Sequence, residues 1–289
     1  MKNISSISPS TQICAVIGNP IQHSLSPAIH NAAYAALDLD FVYVASRVED
    51  VKGALFALRS LSGFKGFSVT IPHKMEIMKY VDEIPDVDRK IGSINTVVKE
   101  NDRLIGLGTD GPGALKALLD AGIDLKGKKV MVLGAGGAAR AITFTLAQKA
   151  GIDELTLFDI NKELLTNLSH DLEKGTAIII NSCELTDKSL ADNLPDADLI
   201  INCTPIGMHP RKEISLVPPE LFREEQAVFD VVYTPLKTKL ISSAEEFGLK
   251  VVPGVEMFVN QAVLQFERFT GEKAPVDIMR RIVMEHLGS

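Results

Sequence analysis

Hydroxyls, an amide, a lysine and a carboxylate fall at the ends of apolar runs in the first part of the chain: Ser24, Ser26, Thr70, Lys74, Asn95 and Asp110. Each alone has a plain structural reading. The serines can cap a helix, Lys74 can sit in solvent, Asn95 can turn the chain, and Asp110 can cap a helix opening at Pro112. Together they are chemically complementary and describe a site for a small polyhydroxylated acid. A second stretch offers different chemistry. Val130-Met131-Val132-Leu133 suits a strand buried on both faces, and it runs into Gly134-Ala135-Gly136-Gly137-Ala138-Ala139. Gly-x-Gly-x-x-Ala between a strand and a helix is a permitted form of the dinucleotide fingerprint, with the helix N-terminus aimed at a pyrophosphate.

The next strand carries the choice of dinucleotide. A carboxylate at its end accepts hydrogen bonds from the adenosine ribose and repels a 2′-phosphate. Asp159 ends Leu155-Thr156-Leu157-Phe158, 25 residues after Gly134, where about 20 is usual. No arginine follows it, so NAD is the favoured cofactor. Lys162 is the residue that would overturn this by meeting a phosphate. The plain alternative is that Asp159 caps the helix that begins near Lys162.

These groups need elements to hold them. Ile13–Ile17 reads as a buried strand, and Ser26 before Pro27 as the N-cap of a helix continued by Ile29, Ala32, Ala33 and Ala36. Phe41–Ala45 is a second strand, Val51, Leu55, Leu58 and Leu61 mark a helix face, and Gly66–Ile71 is a third strand stopped by Pro72. Asn95–Val98 and Leu104–Leu107 form a hairpin, followed by a helix over Pro112–Ala121. Beyond the fingerprint, strands are expected at Leu155–Phe158, Ala177–Ile180, Leu199–Asn202, Val228–Val231 and Lys250–Val252. Helices are expected at Gly137–Lys149, Lys162–Leu172, Lys239–Phe247, Glu256–Phe269 and Val276–Leu287. Such alternation predicts an α/β fold in two domains, the second with a doubly wound parallel sheet. The boundaries are 1–109, 110–255 and 256–289, the last being helices that return to the first domain.

Composition narrows the function. A chain of 289 residues is long for one core. Hydrophobic residues at 46% and charged residues at 23% are ordinary for a soluble globular protein. The net charge of −7 gives no reason to expect nucleic acid or acidic membranes as partners. Cys14, Cys183 and Cys203 lack metal-ligand spacing, so no metal is expected, and three unpaired thiols suit a reducing cytoplasm. No apolar run approaches a membrane span.

Over nearly its whole length the chain resembles the shikimate dehydrogenase family, including the quinate/shikimate dehydrogenases. The resemblance rests on Ile17-Gly18-Asn19-Pro20, Ser24-Leu25-Ser26-Pro27, Val69-Thr70-Ile71-Pro72-His73-Lys74, Gly92-Ser93-Ile94-Asn95-Thr96 and Gly108-Thr109-Asp110-Gly111. It continues through Gly134-Ala135-Gly136-Gly137-Ala138, Asn202-Cys203-Thr204-Pro205, Tyr233-Thr234-Pro235-Leu236-Lys237-Thr238 and Gly254-Val255-Glu256-Met257. It implies an N-terminal substrate domain completed by the C-terminal helices, and a Rossmann-type nucleotide domain. Lys74 and Asp110 match the catalytic pair, and Ser24 and Ser26 the hydroxyls that hold the substrate carboxylate. Thr70, Asn95, Tyr233 and Gln261 match positions that bind the ring and its hydroxyls. Gly134 to Ala138 match the pyrophosphate turn, with Asp159 and Thr204 also on the cofactor side; Val231, Gly254 and Met257 line the nicotinamide side. The implied activity is NAD(P)-dependent interconversion of 3-dehydroshikimate and shikimate, by a monomer or homodimer.

Departures from the family matter. Members that prefer NADP, the commoner cofactor, often carry Asn-Arg-Thr or Asn-Arg-Ser where this chain has Asp159-Ile160-Asn161. That resembles the NAD-accepting quinate/shikimate branch. Ser68 replaces the asparagine often found before the Val-Thr pair, and His73 beside Lys74 is structural or solvated at least as readily as catalytic. Asp86-Val87-Asp88 reads as a solvated helical face, with family analogy placing Asp86 near the cleft. Two other readings compete. A folate-type methylene dehydrogenase shares the two-domain plan but has no use for Ser24, Ser26 and Asn95 as a polyol site. A non-catalytic sensor of shikimate or quinate has no use for Lys74 and Asp110.

Overall fold

Alternating apolar segments build two sheets, and the chain falls into two compact units in a computed structural model that describes residues 7–288. The first unit runs to Thr109 and resumes at Gln261; the second is Asp110–Asn260.

The first unit holds a five-stranded sheet. Its strands are β1 (Gln12–Gly18), β2 (Phe41–Arg47), β3 (Phe64–Val69), β4 (Thr96–Glu100) and β5 (Arg103–Leu107), in the order β2-β1-β3-β4-β5. β2, β1 and β3 are parallel, joined through α1 (Ser26–Ala36) and α2 (Val51–Ser60), whereas β3, β4 and β5 are antiparallel. Alternation along β1 sends Ala15 and Ile17 to one face, where they pack with Val51, Leu55 and Leu58 of α2. The opposite face is aromatic: Tyr34 of α1 and Tyr43 of β2 meet Phe266 and Phe269. Those last two come from α9 (Gly254–Thr270), and α10 (Val276–Leu287) packs on α1.

The second unit holds six parallel strands: β6 (Lys129–Leu133), β7 (Glu154–Asp159), β8 (Ile179–Glu184), β9 (Leu199–Asn202), β10 (Ala227–Asp230) and β11 (Lys250–Val252). Their order is β11-β10-β9-β6-β7-β8. The order reverses between β6 and β9, which makes the C-terminal ends of those two strands the place where a doubly wound sheet binds ligands. The helices are α4 (Asp110–Asp120), α5 (Gly137–Lys149), α6 (Lys162–Gly175), α7 (Asp187–Asn193) and α8 (Lys239–Glu246), after α3 (Asp86–Ile91) in the first unit. Met131, Leu133, Phe158, Ile200 and Val228 pack one face of this sheet against Leu190, Leu240, Ile241 and Ala244.

Several expectations need correction. Ser26 is not the cap of α1 but its first residue; Leu25 precedes it, without a side-chain cap bond. β3 stops at Val69, two residues short of the expected Ile71, and Asp110 lies within the first turn of α4 rather than ahead of it. β8 runs Ile179–Glu184 instead of Ala177–Ile180. As an edge strand paired with β7 alone it is largely exposed, so its polar residues leave no apolar signature. α7 was not anticipated; its signal is a Thr186/Ser189 capping box, which uses serine where Glu or Gln is usual. The boundary placed at 255/256 falls instead after Asn260, inside α9. The first turns of α9 pack on the second unit through Gly254 and Phe258, and from Gln261 onward its side chains face the first sheet.

Candidate active site

In the first unit the candidate substrate residues sit on the C-terminal side of β1 and β3 and on the facing turn of α9. Asn95 is buried just ahead of β4. Its Oδ1 accepts from the Thr109 backbone N–H at 2.7 Å, and its Nδ2 donates to Thr109 Oγ1 at 2.9 Å and Gln261 Oε1 at 3.4 Å. One helical turn on, Gln265 Nε2 donates to Asn95 O (3.2 Å) and Thr96 Oγ1 (3.0 Å) while its Oε1 accepts from Ser68 Oγ (2.8 Å). Tyr43 donates to Ser68 Oγ at 2.5 Å. Burial holds the Tyr43 phenol far above its ordinary range, against the opposing effect of hydrogen bonds to Ser68 and Ser26. Tyr43 therefore links Ser26 to the Ser68–Gln265 side of the set. Asn95, Gln261, Ser68 and Ser26 are thus brought together; Tyr43, Thr109 and Gln265 were not singled out in the sequence. Two glutamines four apart, on one face of α9, were the legible sign of the last.

Ser24 and Ser26 are joined by a bond from the Ser26 N–H to Ser24 Oγ, 3.3 Å. Thr70 follows β3, its N–H donating to Ile17 O, and the turn after it carries Lys74, half-buried, whose carbonyl accepts from Ile94 N–H at 3.0 Å. His73 points elsewhere: its Nε2 lies 2.8 Å from the Val48 carbonyl, which ties the turn to the segment before α2. That is a structural role.

In the second unit, Asp110 opens α4 and is buried, its charge at the positive end of the helix dipole. It lies close enough to Cys203 to help raise that thiol, after burial and Asp230. Gly134 follows β6 with φ +105°, a left-handed conformation that a side chain disfavours, and a Cβ there would lie 3.1 Å from the Cys203 carbonyl group. Gly136, ahead of α5, has open space where a Cβ would stand. Asp159 is half-buried, with Oδ2 accepting from the Ala135 N–H at 2.6 Å and Oδ1 from the Asn161 N–H at 2.7 Å. The cap of α6 is Asn161, which accepts from Glu163 and Leu164 N–H, so the helix-capping alternative for Asp159 is set aside. Lys162 pairs with Glu184 at 3.0 Å on the surface. Tyr233 stacks on Phe258 with centroids 4.5 Å apart, and burial raises its phenol pKa. Val231 lies against Gly254, where a Cβ would come within 2.5 Å of the Val231 and Val232 carbonyl oxygens, and Met257 is buried one turn further along α9. Among the described residues no His, Cys, Asp or Glu cluster could hold a metal ion, and no helix is long and apolar enough to cross a membrane.

Family models match in three segments: the shikimate dehydrogenase substrate binding domain over residues 16–97, the NAD binding domain of lactate/malate dehydrogenase over 128–231, and the shikimate 5′-dehydrogenase C-terminal domain over 254–284. The chain is 41% identical to the shikimate dehydrogenase (NADP(+)) of Moorella thermoacetica, covering 98% of this chain and 96% of that protein. The chain belongs to the shikimate dehydrogenase family. Among solved members, the shikimate 5-dehydrogenase of Listeria monocytogenes in complex with shikimate and NAD superposes with a TM-score of 0.90 at 34% identity, covering 98% of this chain and all of that one. The quinate dehydrogenase of Corynebacterium glutamicum in complex with NAD gives 0.88 at 26% identity, covering 95% and 99%. The second unit of this shikimate dehydrogenase family member fits an NAD(P) dinucleotide on its own geometry. The cradle left open at Gly136 lies at the N-terminus of α5, where backbone N–H groups and the helix dipole favour a pyrophosphate.

Proposed function

We propose that this protein catalyses the reversible NAD(P)-dependent reduction of 3-dehydroshikimate to shikimate, with Lys74 and Asp110 as its proton-transfer pair. The observation that supports it most is full-length membership of the family together with Lys74, Asp110 and the Ser26–Tyr43–Ser68 and Asn95–Thr109–Gln261 polar set. Ser24 and Ser26 bind the carboxylate, and Thr70, Asn95, Tyr233 and Gln261 the ring and its hydroxyls. In the reducing direction the Lys74 ammonium donates a proton to the oxygen that becomes the alcohol, and Asp110 orients it; in the oxidising direction the lysine takes the proton back. The dinucleotide, when bound, supplies the hydride exchange. Gly134 to Ala138, Asp159, Thr204, Val231, Gly254 and Met257 hold and orient it.

The cofactor is NAD in preference to NADP. The Asp159 carboxylate supports this, because two backbone N–H groups fix it at the end of β7 with no guanidinium beside it in sequence. Lys162 is already engaged by Glu184, although that exposed pair is weak. Quinate is the second substrate reading, favoured by Asp159-Ile160-Asn161, which resembles the NAD-accepting quinate/shikimate branch. The three cysteines, all free, support a cytoplasmic setting. Initial rates with shikimate and quinate, each with NAD and NADP, test these points. No turnover of either acid sinks the enzyme reading. An NADP preference above about tenfold, roughly 1.4 kcal/mol, sinks the reading of Asp159. Lys74→Ala should cost on the order of 10²–10⁴ in turnover; near-normal turnover removes Lys74 from its role.

A further inference from the structure

The second unit contains a buried carboxylate that the proposed chemistry does not use. Asp230 is the last residue of β10 and has no exposed surface. None of its partners is a cation. Its Oδ1 accepts from Asn202 Nδ2 at 2.9 Å and from the Val232 N–H at 3.0 Å; its Oδ2 accepts from Thr238 Oγ1 at 2.6 Å. Burying such a charge is costly, and the carboxyl is pushed up to about 6 by desolvation, against the three hydrogen bonds. A group kept at that cost invites the question of what it holds.

It holds both loops on one side of the sheet reversal. Asn202, the last residue of β9, donates its second amide hydrogen to Ile206 O at 3.1 Å. Its Oδ1 accepts from the Thr204 N–H at 3.1 Å and from Thr204 Oγ1 at 2.7 Å, and Thr204 Oγ1 accepts from the Ile206 N–H at 3.2 Å. The Asn202 carbonyl takes the Val231 N–H at 3.0 Å. On the other side, Thr238 Oγ1 caps α8 by accepting from the Ile241 N–H. One carboxylate thus fastens the loop after β9, the loop after β10 and the start of α8. These loops carry Thr204, Val231 and Tyr233.

We infer that Asp230 is a positioning residue for dinucleotide binding, acting through Asn202, Val232 and Thr238 on the loops after β9 and β10. The inference rests on the proposed NAD(P)-binding reading of this unit. All of its partners donate, so a carboxylate satisfies every one, whereas an amide must turn an NH2 group toward at least one donor. Turned toward Thr238, it takes away the acceptor of the Thr238 hydroxyl hydrogen; turned the other way, it faces the Asn202 amide and the Val232 N–H.

The test is calorimetric binding of NAD and NADP to the full-length wild type, Asp230→Asn, Thr238→Val and Thr238→Ser, beside melting temperatures and steady-state kinetics. Asp230→Asn and Thr238→Val should each weaken dinucleotide binding roughly tenfold or more and raise the KM for dinucleotide in parallel. The KM for shikimate should change less than about twofold, and Thr238→Ser, which keeps the hydroxyl, should bind like the wild type. Should Asp230→Asn fail to fold, the Thr238 pair decides. Wild-type affinity in Asp230→Asn or Thr238→Val overturns the inference, as does an equal loss for dinucleotide and shikimate. A wild type that binds neither dinucleotide overturns the functional reading, and this inference with it.

Discussion

Acid should destabilise the first unit through one residue, His30. The imidazole lies on α1, one turn beyond Ser26, with no exposed surface, and it stacks on Tyr43 with ring centroids 4.3 Å apart and planes 5° from parallel. Neither ring nitrogen has a hydrogen-bond partner. Desolvation lowers its pKa from 6.5 to about 3. The folded state therefore keeps the ring neutral while the unfolded chain takes up a proton below pH 6.5. The stability that this difference contributes is complete above pH 6.5 and is lost as pH falls, until the folded ring itself titrates near 3. Each pH unit in that window is worth about 1.4 kcal/mol, so a drop from pH 7 to pH 5 costs about 2 kcal/mol. His30→Phe keeps a stacked ring and removes the titration. Urea unfolding followed by circular dichroism at both pH values should show the wild type losing about 2 kcal/mol more than the variant. Equal losses would refute the buried, unpartnered histidine.

Other outcomes follow from single contacts. Gly254→Ala would drive a methyl group into the Val231 and Val232 carbonyls; a cost of roughly 1–3 kcal/mol should lower the melting temperature, and an unchanged melting curve contradicts the contact. Asn161→Ala removes the double cap of α6 and should cost about 1 kcal/mol in urea titration. Burial pushes the Cys14 thiol up to about 12 and raises Cys203 as well. Cys14 should not be alkylated at pH 8 until the protein unfolds, and mass spectrometry showing Cys14 modified in the folded protein counts against that burial.

Strand and helix identity was largely legible because burial on both faces writes continuous apolar runs into β1, β6, β9 and β10, and helical spacing into α2, α6 and α10. The signal failed where burial stops: at β8, an edge strand with polar residues, and at α7, seven residues long. The candidate residues were legible as motifs. Its wiring was not, since Gln265 bonds Asn95, Thr96 and Ser68 across some 170 to 197 positions of chain.

By itself the sequence determined the α/β class, the glycine turn after β6 and the residue types of the polar site, because these depend on local spacing and on side-chain chemistry. Tertiary structure decided which groups meet. It alone turned His73 to Val48 and set Asp159 against the turn at Ala135. It alone closed three donors on Asp230. Hydrogen bonds select partners by distance and direction in space, and only the folded chain sets those for residues far apart in sequence.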